Sequence, residues 1–261
     1  MKWHGKWIGM TALLGAAVVS AGSIGAWQVS AADSTPAYVT AAVANTARPK
    51  ADTDRDAARK PADMLVFAGI KPGQTVVDLM PGGGYFSKLF SGAVGPTGKV
   101  YAFQPAEFAK FAKGPVPASG TVPDAAWPNV TFLTAPINDF SAPTTADVVW
   151  TAQNYHDMHD SFMGPADLAK VNAAVFKALK PGGYYVILDH AAAAGSGLAA
   201  TDTLHRIDPA SVKAEVTAAG FKFVGESKVL VNPADDHTLK VFDPAMRGHT
   251  DQFIYKFQKP L

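Results

Sequence analysis

The segment Asn154-Tyr155-His156-Asp157-Met158-His159-Asp160 places two imidazoles beside two carboxylates. Asp189-His190 and His205-Arg206-Ile207-Asp208 repeat the pairing further along the chain. Imidazole exchanges a proton near neutral pH, and a neighbouring carboxylate can fix its orientation. His156 or His159 could therefore act as a general base for a hydroxyl or amine nucleophile, with Asp157 orienting the ring. Arg206 could hold an anionic acceptor, with Tyr155, His190 and His205 around it. The same donors also suit a metal ion held by His156, His159 or Asp160, Asp189 and His205. A third reading is that they satisfy buried loop backbone. A His-x-x-His spacing does not choose among these, and no metal ligand is assigned from it.

A second chemical signal is Asp78-Leu79-Met80-Pro81-Gly82-Gly83-Gly84-Tyr85. Glycines let the backbone turn sharply and admit a ligand where a Cβ would block it. Gly82 and Gly84 fit the start of a dinucleotide fingerprint, but Ser87 stands at its last position, and no Walker Lys-Ser/Thr pair follows. A carboxylate at Asp78 would repel a pyrophosphate. It would suit a ligand carrying an ammonium or sulfonium, with Tyr85 as a stacking face for the cation.

These segments need a scaffold, and the hydrophobic pattern supplies one. Asp52-Thr53-Asp54 precede a helix over Ala57–Ala68, ended by Gly69. Thr75–Met80 reads as a buried strand. Phe86, Leu89, Phe90, Ala93 and Val94 then mark one helical face within Gly84–Val94. Lys99–Gln104, Val130–Ile137, Asp147–Ala152 and Tyr184–Leu188 read as further strands, and Phe221–Val231 and Gln252–Phe257 as the last two. A less ordered Pro/Ala/Gly stretch, Pro105–Pro128, carries a short helix near Ala106–Ala112. Leu168, Val171, Val175, Ala178 and Leu179 form another helical face, stopped by Lys180-Pro181-Gly182-Gly183. Asp208 caps a helix that starts at Pro209 and ends at Gly220. Alternating strands and helices predict an α/β, doubly wound domain with a largely parallel sheet and helices on both faces. In such sheets ligands bind beyond the strand carboxyl ends, where the glycine segment and the histidine segments both fall.

On Val76-Val77-Asp78-Leu79-Met80-Pro81-Gly82-Gly83-Gly84-Tyr85-Phe86, Gly98-Lys99-Val100-Tyr101-Ala102-Phe103 and Leu179-Lys180-Pro181-Gly182-Gly183, the chain resembles class I S-adenosylmethionine-dependent methyltransferases. Asp189-His190 and Leu204-His205-Arg206-Ile207-Asp208 suggest an exported bacterial group of predicted methyltransferases within them. The resemblance covers about Asp52 to Lys259. It implies a Rossmann-like sheet of seven strands, order 3-2-1-4-5-7-6 with the last strand antiparallel. It also implies S-adenosylmethionine as cofactor, contacted by Asp78, Pro81, Gly82, Gly83, Gly84 and Tyr85. Gln104 stands where the family usually has an acid for the ribose hydroxyls. Ile137 and Asn138 fall at the adenine, and Asn154 near the methyl group.

The chain has 261 residues, with 23 Lys and Arg against 22 Asp and Glu, a formal charge of +1. That balance argues against a nucleic-acid-binding face. The absence of cysteine removes disulfides, thiolate nucleophiles and iron–sulfur clusters. After Lys2, His4 and Lys6 no charged residue occurs before Asp33, and Val29-Ser30-Ala31 ends the uncharged run with small residues. Residues 1–31 read as a secretory signal peptide and 32–51 as a flexible lead-in. Residues 52–261 read as one domain. The expected location is extracytoplasmic, periplasmic in a bacterium, with membrane contact only through an uncleaved leader. The function expected is methyl transfer to a small-molecule O or N nucleophile in the cell envelope. The alternative is an envelope protein of the same fold that binds a nucleoside or metal without turnover, favoured by Gln104 in place of the acid.

Overall fold

A computed structural model describes residues 35–112, 114–164 and 166–261. The leader expected over residues 1–31 lies outside them. Four short helices come first: α1 (Ala37–Val43), α2 (Lys50–Thr53), α3 (Asp56–Arg59) and α4 (Pro61–Ala68). Strand β1 (Thr75–Leu79), helix α5 (Tyr85–Val94), β2 (Lys99–Pro105), β3 (Val130–Ala135) and β4 (Ala146–Ala152) follow. Then come α6 (Leu168–Ala178), β5 (Leu179–His190), α7 (Thr201–Leu204), α8 (Pro209–Ala218), β6 (Lys222–Ser227) and β7 (Gln252–Gln258).

The strands form one seven-stranded sheet in the order β3-β2-β1-β4-β5-β7-β6. Strands β1 to β5 pair in parallel, while β7 runs antiparallel to both β5 and β6. Strand order reverses between β1 and β2 on one side and β4 on the other, so the β1 and β4 carboxyl ends open side by side. Alternation along each strand feeds two cores, since both faces are covered. Val77, Leu79, Tyr185 and Ile187 pack under α6 and α8 with Val171, Val175, Val212 and Val216. Val76, Val186 and Leu188 pack on the other face under α1, α4 and α5, with Leu65, Phe86 and Phe90.

Three elements depart from the sequence expectation. Residues 35–51, expected as a flexible lead-in, are helical in part and packed. Val39 and Ala42 of α1 are buried against α5. Gly92 permits this approach, because a Cβ there would lie 3.1 Å from the Ala42 Cα. The helix expected over Ala57–Ala68 is broken at Lys60, which adopts φ 47° ahead of Pro61; proline disfavours α conformation in the residue before it. Strand β5 begins at Leu179, so Lys180-Pro181-Gly182-Gly183 belongs to the strand that follows the helix.

Candidate functional site

Strand parity decides where Asp78 points. Residue 78 shares the face of Val76, which looks towards α5. Its carboxylate accepts a 2.6 Å bond from Ser87 Oγ and is almost fully buried. Burial pushes its pKa up to about 7, against the lowering effect of the Ser87 hydroxyl and backbone N–H and of Arg59 and Lys88. The direct ligand contact expected of Asp78 is therefore corrected: the carboxylate lies behind the turn and holds the start of α5.

The turn itself is open. Gly82 and Gly84 have φ of 53° and 73°, and a Cβ built on Gly82 or Gly83 would meet nothing within 4 Å. Pro81, Gly82, Gly83 and Gly84 line a cleft of about 310 Å³, faced by Lys88 and Asp124. Gln104, at the end of β2, accepts a 3.2 Å bond from the Gly82 N–H. Asn154 donates to the carbonyls of Met80 at 2.9 Å and Ala152 at 2.6 Å, which fixes the β1 and β4 ends relative to each other. Met80 and Gln153, both φ 62°, and His205, φ 54°, are non-glycine residues in the left-handed region at this edge. Such strain persists where surrounding structure holds it, often at functional sites. A second opening of about 370 Å³ lies towards the far end of α5, at Ser91, Gly92 and Gly95, away from the strand ends.

The N-terminal arm covers the turn from one side. Arg48 pairs with Asp56 through two bonds of 2.6 and 2.8 Å, and Tyr85 Oη donates to Asp56 at 2.6 Å. The guanidiniums of Arg48, Arg55 and Arg59 lie 5.4, 4.9 and 4.7 Å from the centre of the Tyr85 ring. The stacking face offered by Tyr85 is thus taken by the chain's own arginines, which corrects its expected cofactor contact. Lys88 bridges Asp52 at 2.9 Å and the Gly83 carbonyl at 2.8 Å. Arg59 reaches Gln153 at 2.6 Å. The acidic and basic residues at 52, 55, 56 and 59, spaced by three or four, carried the signal for this inward polar face. Sequence reasoning did not single out Lys88, Asp124 or Gln153.

The adenine expectation is not met on the open side of the turn. Ile137 is fully buried, with its N–H donating to the Glu107 carboxylate at 3.1 and 3.2 Å. Asn138 Oδ1 accepts from the Asp167 N–H at the cap of α6. Both residues tie β3 to its neighbours, and neither lines the cleft.

Beyond β4, the 3-10 turn His156–His159 divides the expected catalytic group. His156 is buried between Asp189 and Asp157: Nδ1 lies 2.8 Å from Asp189 Oδ1, and Nε2 lies 3.3 Å from Asp157 Oδ1. Burial opposes its charge, but the two carboxylates outweigh burial and raise its pKa to about 10. Its expected role as a neutral base is corrected accordingly, because the ring is protonated near neutral pH. His205, on the turn after α7, brings Nδ1 to 3.7 Å from Asp157 and 3.6 Å from Asp160. His159 turns away to Glu215 at 3.3 Å.

The expected substrate residues mostly serve the interior. Tyr155 is fully buried, donates to Glu215 at 2.8 Å and accepts from Asn172 at 2.9 Å. Arg206 is fully buried and pairs with Asp235 at 2.8 Å, with further bonds to the carbonyls of Ala191 and Leu239. It is not available to an anionic acceptor. His190 bonds Thr250 at 2.8 Å, and burial lowers its pKa to about 4, so it is neutral. Of the histidine group, His156, Asp157 and His205 converge, with Asp160 completing the cluster.

No family model matches the chain. No curated protein matches it. Solved structures do. A SAM-dependent methyltransferase from Aquifex aeolicus superposes with a TM-score of 0.50 at 17% identity, covering 78% of this chain and 98% of its own. One from Mesorhizobium loti gives 0.50 at 14% identity, over 78% and 100%. An arsenic(III) S-adenosylmethionine methyltransferase from Chlamydomonas reinhardtii gives 0.50 at 15% identity, over 87% and 75%. At these identities the likeness is one of fold: the chain has the Rossmann-like methyltransferase fold.

Proposed function

We propose that this protein is an S-adenosylmethionine-dependent methyltransferase acting on a small-molecule O or N nucleophile, in the cell envelope. The observation that carries this reading is the side-chain-free turn Pro81–Gly84, which follows β1 at the switch point of a methyltransferase-type sheet and lines a cleft that extends over β2 and β3 through Ala102, Val130 and Phe132. The envelope location rests on the leader pattern of residues 1–31. Among the described residues no helix is long and apolar enough to cross a membrane.

The residues present fit the cofactor in part. Gly82 and Gly83 leave room for close backbone approach, and the Gln104 carboxamide sits against the turn. Asp124 adds the acidic side chain that lines the cleft. Asp78 would act through the turn, its negative charge favouring a cation in front of Gly82–Gly84 once ionised. When bound, S-adenosylmethionine supplies an electrophilic methyl group on a sulfonium. The chain's part is to hold the β1 and β4 ends in register through Asn154, to keep water from the turn with the arm, and to orient the acceptor at the β4 edge.

A reading without turnover is favoured by one observation. His156 is buried and both of its ring nitrogens face carboxylates, Asp189 at 2.8 Å and Asp157 at 3.3 Å, so this ring does not reach an acceptor as a free base. Calorimetric titration with S-adenosylmethionine, S-adenosylhomocysteine and NAD separates the alternatives. The transferase reading expects saturable binding of the first two, weakened about 100-fold by Gly83→Val, and none of NAD. Binding of NAD alone would sink it. Binding of the first two ligands without methyl transfer to any of a panel of phenols, amines and thiols would favour the binding protein.

A further inference from the structure

His156, Asp157, Asp160 and His205 each bring one donor atom to a common point, and the four atoms lie within 4.8 Å of one another. The described pairs are separated by 3.3 Å (His156 Nε2 to Asp157 Oδ1), 3.7 Å (His205 Nδ1 to Asp157 Oδ1) and 3.6 Å (His205 Nδ1 to Asp160 Oδ2). Ligands about 2.1 Å from a tetrahedral zinc ion are about 3.4 Å apart. The spacing is therefore that of a small divalent cation with its ligands already gathered.

Asp160 supplies a second, separate observation. Its side chain is 0% exposed, and neither carboxylate oxygen accepts a hydrogen bond among the described residues. Leaving a buried carboxylate without such partners is costly. Ser87 meets that need for Asp78, and a set of N–H donors meets it for Asp235. Asp160 instead faces the gap between His156, Asp157 and His205, where a cation would satisfy it.

The surroundings suit a ligand set. Asp189 is fully buried and holds His156 twice, at the backbone N–H and at Nδ1, each at 2.8 Å. That leaves Nε2 for the cluster, as a carboxylate behind a metal-bound histidine does. Ser161 Oγ bonds Asp202 at 3.0 Å, tying the ligand turn to α7, which precedes His205. The His205 side chain is 24% exposed and leaves a path for an ion. The two ligand carboxylates balance the charge of one divalent ion, which would displace the proton from His156 Nε2 and leave Asp189 bonded to the Nδ1 side.

We infer that His156, Asp157, Asp160 and His205 form a binding site for one divalent transition-metal ion of the zinc or manganese kind, with Asp189 positioning His156. Mixed nitrogen and oxygen donors select such ions over Mg²⁺ and Ca²⁺, which prefer oxygen alone. Compared with the sequence reading, Asp157 enters as a ligand, Asp189 withdraws behind His156, and His159 drops out to Glu215. The inference does not depend on the transferase reading. The ion would clamp the loop after β4 to the loop after β5, at the edge where the acceptor is proposed to lie.

The test uses the full chain, stripped with a chelator and titrated with Zn²⁺ or Mn²⁺ alone. One equivalent of Zn²⁺ should bind and raise the unfolding temperature, in the wild type and in His249→Gln, an exposed histidine that is not part of the cluster. Asp160→Asn and His205→Gln should bind at least about 100-fold more weakly. In chelator, Asp160→Asn should unfold at a higher temperature than the wild type, because it removes a buried charge that accepts no hydrogen bond among the described residues and has only His205 at 3.6 Å, and zinc should raise it no further. That crossing of effects shows that Asp160→Asn folds and is not expected of a purely structural Asp160. The Co²⁺ form should show visible bands more intense than those of aqueous Co²⁺. Unchanged affinity in Asp160→Asn, no stoichiometric ion in the wild type, displacement by millimolar Mg²⁺, or an aqueous Co²⁺ spectrum would each overturn the assignment.

Discussion

The two halves of the strand-end edge solve opposite problems. At the β1–β2 end, charged groups sit behind the surface and are matched: Asp78 by Ser87, Asp56 by Arg48 and Tyr85, and Asp52 by Lys88 and Arg55. What faces outwards there is mainly backbone, at Gly82 and Gly83. At the β4–β5 end the backbone is filled in and the charges converge inwards, with Asp160 facing His205 at 3.6 Å and accepting no hydrogen bond among the described residues. One side is arranged to receive a ligand with little rearrangement. The other is arranged around a cation. A catalytic reading of all the polar residues at the edge merges two sites with different physical demands.

The sharpest break in that comparison is at Asp189, which carries the most buried charge on the histidine side. Asp189→Asn keeps the shape but leaves the His156 imidazolium with Asp157 alone. Removing one partner of a buried pair costs about 3–5 kcal/mol, and urea unfolding at neutral pH in the presence of chelator should show a loss of that size. A loss below about 1 kcal/mol would mean that the pair is effectively solvated.

On the glycine side the equivalent probe is pH. Burial raises the folded pKa of Asp78 to about 7, from the ordinary carboxylate value of 3.8. Between those values the folded state keeps a proton that the unfolded chain has released. Its contribution to stability therefore falls as pH rises, by about 3 kcal/mol from pH 5 to pH 8. His190, lowered to about 4 by burial, acts in the opposite sense up to about its unfolded pKa. The measurement is thus the difference between the wild type and Asp78→Asn across the range. A cationic ligand in front of the turn favours ionised Asp78, so its binding should tighten through the same window in the wild type and not in the variant. A flat difference curve would place Asp78 in contact with solvent.

Much of the scaffold is written in the chain because it rests on local signals. The short apolar run from Thr75, buried along Val76–Leu79, and the spacing of Phe86, Leu89 and Phe90 mark a buried strand and one helical face. The cap at Asp208 is equally local, its carboxylate accepting from the Ala210 N–H. The site was less legible, because it depends on which way a side chain leaves its element. Asp78 looks like a ligand contact until its parity with Val76 is considered. Arg206 looks like an anion hook, yet Asp235, 29 positions away, claims it. The arm from residue 35 reads as part of a flexible lead-in; only Ala42 against Gly92 shows that small residues there serve close packing.

Gly83→Val asks whether the open turn is a binding surface. Gly83 has no positive φ and no atom within 4 Å of a built Cβ, so the folded chain should accept valine with little loss of stability. The branched side chain would project into the cleft. Affinity for S-adenosylhomocysteine should fall about 100-fold, near 3 kcal/mol, with the urea midpoint nearly unchanged. A stable variant with full affinity would remove the turn from the site.

The smallest effect expected bears on which group meets a ribose. Gln104 stands against Gly82 with a neutral oxygen, while Asp124 lines the cleft on the other side of the turn. Bonds to an ionised acceptor are roughly twice as strong as neutral ones. If Gln104 receives the diol, Gln104→Glu should tighten S-adenosylhomocysteine binding about fivefold, on the order of 1 kcal/mol. The new carboxylate would also strengthen the bond from the Gly82 N–H, so the turn should not loosen. If Asp124 already receives the diol, a second negative charge in the cleft would repel it, and affinity should fall while Asp124→Asn weakens binding by a similar amount. We expect the first outcome, because Gln104 is anchored to the turn and Asp124 lies on the exposed loop opposite. The sign of one calorimetric difference decides between them.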